Sequence, residues 1–144
     1  MGRVCMFCGH SDVPDTIKVS LVSAIKKMIT AKKADTFYVG NHGGFDRMAV
    51  NILGQMKSIF PEFQYYVIPA YLPVQKNGDE ETVPLLFPEG LELVPPKYAI
   101  VHRNRWMVKH ADFVIAYVQH GWGGAAQTLK YAEKRGLDII NLGR

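Results

Sequence analysis

Residues 113–136, FVIAYVQHGWGGAAQTLKYAEKRG, join a strand pattern, a glycine-rich turn and a helix pattern without a break. The first six residues are all apolar, which is typical of a strand buried on both faces of a sheet. The turn contains three glycines, and the polar and apolar residues after it have helical spacing. A buried strand that leads directly into a helix is the repeating unit of a parallel α/β sheet.

The same alternation of strand and helix patterns extends over the chain. Further strands are predicted at residues 3–8, 36–40, 64–72 and 138–142. A first helix is predicted to start behind Asp15 as its cap. The clearest helix pattern follows the second strand, with apolar residues at Phe45, Met48, Ala49, Ile52, Leu53, Met56, Ile59 and Phe60. Because strand–helix–strand crossovers are right-handed, we predict a three-layer Rossmann-like α/β domain with a mostly parallel sheet of about five strands, in the order 3-2-1-4-5.

Composition indicates one globular domain that spans residues 1–144. The chain is 48% hydrophobic and 21% charged, a balance that allows a substantial core. It has neither an apolar stretch long enough to cross a membrane nor the pattern of a signal peptide, so we expect a soluble, cytoplasmic protein. The net charge of +4 favours anionic partners such as nucleotides or nucleic acid.

Two local patterns have structural interpretations. Cys5 and Cys8 form a C-x-x-C pair, but it lies within a predicted strand, where positions three apart point to opposite faces. We therefore expect these cysteines to be structural. The irregular stretch between Pro73 and Pro96 is longer than most connections in compact domains, and it is either a lid or a surface excursion.

Three glycine-containing segments follow predicted strands, namely CGHSD at 8–12, VGNHGGFD at 39–46 and QHGWGG at 119–124. In parallel α/β sheets, ligands bind beyond the carboxyl ends of the strands. Two of the segments lead into helices, whose first N–H groups attract anions. The sequence therefore predicts a phosphate-binding edge.

The standard nucleotide and metal motifs do not account for this edge. The chain has no G-x-G-x-x-G after its first strand and no G-x-x-x-x-G-K-[ST], so a conventional dinucleotide site or P-loop is disfavoured. His10, His42 and His120 could meet at the strand ends as metal ligands, but nothing in the sequence fixes their geometry. We expect no metal and no cofactor.

The segments VGNHGGFDRMA, HRNRWMVKHADFVIAYV and GGAAQTLKYAEKRG resemble the successive motifs of the SLOG superfamily. This superfamily joins the DNA-processing (Smf) proteins to the Lonely Guy phosphoribohydrolases. The opening CMFCGHSD resembles its first strand and loop, so the similarity covers most of the chain except residues 73–96. The resemblance implies a Rossmann-like fold that binds a nucleotide or nucleotide-derived ligand, often in a dimer or larger oligomer.

The resemblance also implies roles for individual residues. Gly43, Gly44 and Asp46 match the turn after the second strand, and residues 123–125 match the phosphate-binding turn after the fourth. Arg103 occupies the position of a catalytic arginine in the Lonely Guy enzymes, where it could hold a phosphate bidentately. The predicted ligand contacts are Gly9, His10, Gly43, Gly44, Asp46, Arg103, Gly121, Gly123, Gly124, Ala125 and Thr128.

One departure from the Lonely Guy pattern bears on activity. Thr128 stands where those enzymes need a glutamate, and a carboxylate there stabilises the oxocarbenium-like transition state of N-glycosidic cleavage. Binding of a nucleotide-derived molecule, by a sensor, carrier or sequestering module, is therefore our first hypothesis, with no catalytic residue assigned. A phosphoribohydrolase that uses Asp46 or Asp12 instead is the alternative.

Binding of single-stranded DNA is a third hypothesis, with Trp106, Trp122 and Tyr117 as stacking surfaces.

Three further positions have two interpretations each. Arg105 lies in the pocket or on a solvated face, Thr128 contacts phosphate or bonds back to its own helix, and Asp112 is a loop or cap residue rather than a ligand contact.

Overall fold

The computed structural model describes residues 2–71 and 84–144. The elements in chain order are β1 (Val4–Gly9), α1 (Ile17–Thr30), β2 (Thr36–Val39), α2 (Gly44–Met56), β3 (Gln64–Val67), a 3-10 turn (Leu91–Leu93), α3 (Pro96–Lys109), β4 (Phe113–Tyr117), α4 (Gly124–Lys134) and β5 (Asp138–Asn141).

The five strands form one parallel sheet in the order β3-β2-β1-β4-β5. The central strand β1 pairs with β2 on one side, where Val4 lies opposite Thr36, and with β4 on the other, where Met6 lies opposite Val114. The predicted fold class and strand order are both confirmed. The chain reverses direction across the sheet between β1 and β4, which creates a crevice at their carboxyl ends.

Two apolar cores lie on opposite faces of the sheet. Helices α1 and α2 cover one face, where the rings of Phe7 and Phe37 stack with centroids 6.0 Å apart and Phe45 lies 6.4 Å from Phe7. Helices α3 and α4 cover the other face, around Met6 and Met107. The three predicted layers are therefore present.

The cysteine pair is divided between these cores, as the strand interpretation predicts. Cys5 packs with α1 and α2, whereas Cys8 packs with α3 and α4. Burial raises the pKa of both thiols, that of Cys8 to about 12 with a contribution from the negative charge of Asp46. Thiols so rarely ionised are poor nucleophiles, which agrees with a structural role.

Two predicted elements are too long and one predicted cap is wrong. Helix α2 ends at Met56, and Ile59, predicted on its buried face, is 64% exposed, because the chain turns ahead of Pro61. Strand β3 ends at Val67, two residues before Pro69, which has no N–H to donate to a ladder. The Asp15 side chain does not cap α1; its backbone carbonyl instead accepts from the Lys18 amide.

The stretch between Pro73 and Pro96, predicted to be either a lid or a surface excursion, lies partly outside the described residues, since residues 72–83 are not among them, and both alternatives remain predictions. After these residues, the chain pairs with the end of β3: the Val67 amide donates to the Pro84 carbonyl, and the Leu86 amide donates to the Val67 carbonyl. No helix within residues 2–71 and 84–144 is long and apolar enough to cross a membrane.

Candidate functional site

A cavity of about 450 Å³ opens at the carboxyl ends of β1 and β4, where the strand order reverses. It is enclosed by the loops after these two strands, the start of α4 and one side of α3. Eight of the eleven predicted ligand residues line it, namely Gly9, His10, Asp46, Arg103, Gly123, Gly124, Ala125 and Thr128. Gly43, Gly44 and Gly121 lie outside this lining.

The start of α4 presents unused amides to the cavity. Gly123 has φ 93°, in the left-handed region that favours glycine, and Gly124 begins the helix. A Cβ atom at Gly123 or Gly124 would meet no atom within 4 Å. The N–H groups of residues 124–126 donate to no acceptor in the described part of the chain. Such a helix start is suited to an anion.

The start of α2 has the same backbone conformation, but the loop after β1 packs against it. Gly43 has φ 94°, yet a Cβ atom there would lie 2.8 Å from the Cα of Ser11. The Gly44 amide donates to the Ser11 carbonyl at 2.8 Å. In this arrangement the Gly44 amide is not available to phosphate, and a phosphate contact by Gly43 or Gly44 remains a prediction.

Arg103 reaches the cavity from α3 and is only 2% exposed. Its Nε donates to Asn104 Oδ1 at 2.8 Å, and its Nη1 donates to the Ile68 carbonyl at 2.7 Å and to Asn41 Oδ1 at 3.4 Å. Burial lowers the pKa of the Arg103 guanidinium, whereas the charges of Asp46 and Tyr71 act to raise it. The predicted bidentate grip on phosphate is not available in this arrangement, since only Nη2 finds no acceptor among the described residues.

Asp46 lies in the first turn of α2 and is 8% exposed. Its Oδ2 accepts a hydrogen bond from the His42 amide at 3.1 Å. Burial raises the pKa of the carboxyl to about 6, and the Arg103 charge and the His42 amide act in the opposite direction. At neutral pH the carboxylate is thus mostly ionised, and it lines the same cavity as the α4 amides.

Three stacked rings stand beside the cavity. The ring centroids of His10 and His120 are 3.9 Å apart, and those of His120 and Trp122 are 3.7 Å apart. His10 Nε2 accepts from the Gln119 amide at 2.9 Å, and burial, followed by the His120 charge, lowers the pKa of His10. Trp122 ends the stack with 70% of its surface exposed, so its outer face is free to stack on a base.

The other two predicted stacking residues serve different purposes. Tyr117 is 3% exposed and packs against Phe45 in the core. Trp106 is half-buried and stacks on His110 at 4.2 Å. Neither lines the cavity, which leaves Trp122 as the stacking surface at this site.

The structure chooses between the interpretations left open for individual residues. The Thr128 hydroxyl donates to the Gly124 carbonyl at 2.8 Å, so it bonds back to its own helix. Thr128 lines the cavity, but its hydroxyl proton is already used and is not available to a phosphate. Arg105 lies outside the cavity, with its guanidinium 5.6 Å from the Tyr131 ring centroid. Asp112 accepts from the Val4 amide at 2.9 Å and joins two strand ends, as a loop residue would.

Several residues of the site were not predicted from the sequence. Ser11 supplies the carbonyl that closes α2, and Asn41 and Asn104 hold Arg103. All three residues lie in segments that the sequence analysis quoted, but no local pattern assigns these contacts to them. Across the described ranges, no group of three His, Cys, Asp or Glu side chains is arranged to hold a metal ion.

Comparison with known proteins adds a fold relationship. No protein-family profile and no curated protein sequence matches the chain. Its structure is similar to DNA processing protein A (DprA) from Streptococcus pneumoniae, with a TM-score of 0.70 and 16% identity over 98% of this chain and 50% of that one. It is also similar to DNA processing protein A from Helicobacter pylori, described for its single-stranded DNA binding mode, with a TM-score of 0.62 and 14% identity over 96% of this chain and 64% of that one.

These similarities show an α/β Rossmann-like fold shared with DNA processing protein A. The chain spans between half and two thirds of the length of the two proteins. The resemblance to DNA-processing proteins is thus supported at the level of fold. The wider SLOG relationship, and the link to Lonely Guy enzymes, remain predictions.

Proposed function

We propose that the cavity between the ends of β1 and β4 binds a phosphorylated nucleotide, with the phosphate at the start of α4. The open helix start carries this proposal, because three of its amides have no acceptor among the described residues, and Gly124 and Ala125 line a cavity that the buried Arg103 also lines. The protein would act as a sensor, carrier or sequestering module, in the cytoplasm and as a homo-oligomer.

The hydrogen bonds available at the start of α4 are strong enough to hold a phosphorylated ligand. A hydrogen bond to a charged group contributes about 1.5–3 kcal/mol, so three amide bonds to a phosphate supply roughly 5–9 kcal/mol before costs. Ordering the ligand costs at least about 4 kcal/mol, which the charge of Arg103 and stacking on Trp122 would help to offset. A dissociation constant between the millimolar and the micromolar range is the expected outcome.

Single-stranded DNA is the second candidate, and the comparisons favour it over a free nucleotide. The related Helicobacter pylori protein is described as binding single-stranded DNA. The exposed face of Trp122 and the net charge of +4 are compatible with such a ligand. The buried polar pair Asp46 and Arg103 favours the free nucleotide, because it gives the cavity an enclosed floor that a sequence-tolerant strand does not need.

Hydrolysis of a nucleotide remains an alternative of lower rank. The missing glutamate at Thr128 leaves Asp46 and Asp12 as the carboxylates of the cavity lining. Incubation with nucleoside monophosphates, followed by chromatography, would reveal released base. Absence of base from every nucleotide tested would count against the enzyme and leave the binding proposal intact.

Gly124→Val tests the proposed phosphate site. The Cβ atom at this position would meet no atom within 4 Å, so we expect the fold to persist while the branched side chain obstructs phosphate at the helix start. We expect the affinity for nucleoside 5′-monophosphates to fall by at least about tenfold by calorimetry, the equivalent of about 1.4 kcal/mol. The circular dichroism spectrum should stay that of the original protein.

Gly54→Val is the matched control. Gly54 is exposed on α2, an added Cβ would meet only the Tyr65 hydroxyl at an ordinary 3.5 Å, and it lies outside the cavity lining, so its variant should bind as the original protein does. Equal affinity in all three proteins would refute the α4 site. A labelled oligothymidine in the same experiment tests the DNA candidate, for which binding must weaken steeply as salt increases.

A further inference from the structure

The floor of the cavity contains an acceptor without a donor. Only 8% of the surface of Asp46 is exposed, and its Oδ2 accepts a hydrogen bond from the His42 amide. Its Oδ1 has no hydrogen-bond partner among the described residues, although the carboxylate lines the cavity. Oδ1 is open to the cavity, since no buried side-chain oxygen or nitrogen of the described residues lacks a partner. A ligand that covers this carboxylate therefore has to supply a donor in place of water.

The adjacent arginine does not meet this demand. Asp46 Oδ2 and Arg103 Nη1 both lie against Gly40, where an added Cβ would be 2.7 Å from the first and 2.9 Å from the second. The two side chains nevertheless form no ion pair within 4.0 Å in the described part of the chain. Arg103 donates instead to Ile68 and the two asparagines, so its charge favours the ionised form of Asp46 but it donates to neither carboxylate oxygen.

This arrangement restricts which part of a ligand can lie over Asp46. A carboxylate repels phosphate and accepts from hydroxyl or amino groups. The α4 amides are the complementary partner for the phosphate, and the exposed face of Trp122 is suited to a base. The sugar lies between phosphate and base in a nucleotide, and its neighbouring 2′- and 3′-hydroxyls supply two donors to one carboxylate, as in the ribose recognition of dinucleotide-binding folds.

We propose that Asp46 accepts the sugar hydroxyls of the bound nucleotide and makes the cavity selective for ribonucleotides over 2′-deoxyribonucleotides. The inference rests on the proposed function, since it assigns the sugar of a ligand whose phosphate lies at α4. A site built to accept from a hydroxyl discriminates strongly against the ligand that lacks it, because the buried acceptor is then left unpaired.

The test compares matched ligand pairs. Dissociation constants of ribonucleoside 5′-monophosphates and their 2′-deoxy counterparts are measured by calorimetry for the original protein, Asp46→Asn and Asp15→Asn. We expect at least about tenfold preference for the ribonucleotide in the original protein. Asp46→Asn should keep the shape of the side chain and weaken the binding of both sugar forms, that of the ribonucleotide more, so that the preference falls to less than about threefold.

Asp15→Asn is the control for the loss of one negative charge. Asp15 is exposed ahead of α1 and lies outside this cavity, so its variant should retain the preference. Equal affinity for both sugars in the original protein, or a preference that Asp46→Asn leaves unchanged, would overturn the assignment of Asp46 while the phosphate site stands. Binding of neither sugar form, or of oligothymidine alone, would overturn the proposed function and this inference with it.

Discussion

Asp46 combines two requirements that usually conflict, burial and negative charge. Its carboxylate lies beneath the cavity, where desolvation raises the pKa to about 6 in spite of the Arg103 charge and the His42 amide. Arg103 is anchored by bonds to the protein itself, so it provides a fixed positive field rather than a flexible arm. At the scale of single residues, the site therefore pairs a rigid cation with a carboxylate that has a spare acceptor oxygen.

The raised pKa of Asp46 predicts how stability depends on pH. The ordinary pKa is 3.8 and the folded value is about 6, so the folded protein holds this proton more tightly than the unfolded chain. The free energy of unfolding should therefore fall as pH rises from about 4 to about 6, by up to about 3 kcal/mol from this group.

Urea denaturation across that range, for the original protein and Asp46→Asn, isolates the contribution of this carboxyl. The variant has no proton to lose at this position, so its curve should be flatter between pH 4 and 6. Parallel curves for the two proteins would show that the pKa of Asp46 is not raised by folding.

At the scale of elements, α2 and α4 start alike and differ in use. Both begin after a glycine with φ near 90°, and both follow a strand of the same sheet. The Ser11 carbonyl accepts from the Gly44 amide at the first helix start, whereas Gly123, Gly124 and Ala125 at the second line the cavity. Glycine pairs predicted both helix starts, but the bond from Ser11 could not be predicted, because it joins loops more than thirty residues apart in the chain.

The loop between β2 and α2 holds the polar floor of the cavity in place through Gly40. Gly40→Ala would put a methyl group within 3 Å of Asp46 Oδ2 and Arg103 Nη1, both of them buried. Overpacking of this kind should lower the free energy of unfolding by about 1–3 kcal/mol in urea denaturation.

Gly54→Ala is the matched comparison within α2. A Cβ atom there would meet only the Tyr65 hydroxyl oxygen, at an ordinary 3.5 Å. Because alanine favours a helix over glycine, this variant should gain about 0.5–1 kcal/mol. A Gly40→Ala protein as stable as Gly54→Ala would contradict the close packing around Gly40.

At the scale of the whole molecule, the alternation of apolar strands and amphipathic helices was sufficient to predict the layers and the strand order. Handedness leaves few arrangements for such a pattern, so topology follows from local signals. The position of Arg103 does not follow in the same way. The Ile68 carbonyl and Asn41 hold it from beyond β3 and β2, and such contacts exist only once the sheet is assembled. Trp106 and Tyr117 are a second example, because the burial that removes them from the binding surface is likewise set by the assembled sheet.

The central claim, that phosphate binds the open start of α4, is tested most directly amide by amide. Proton–nitrogen correlation spectra would be recorded while a nucleoside 5′-monophosphate is titrated into the labelled protein. We predict the largest shifts at the amides of Gly124, Ala125 and Ala126, with the Gly44 amide little changed because it already donates to Ser11. Largest shifts at Gly44, with residues 124–126 unaffected, would contradict the account.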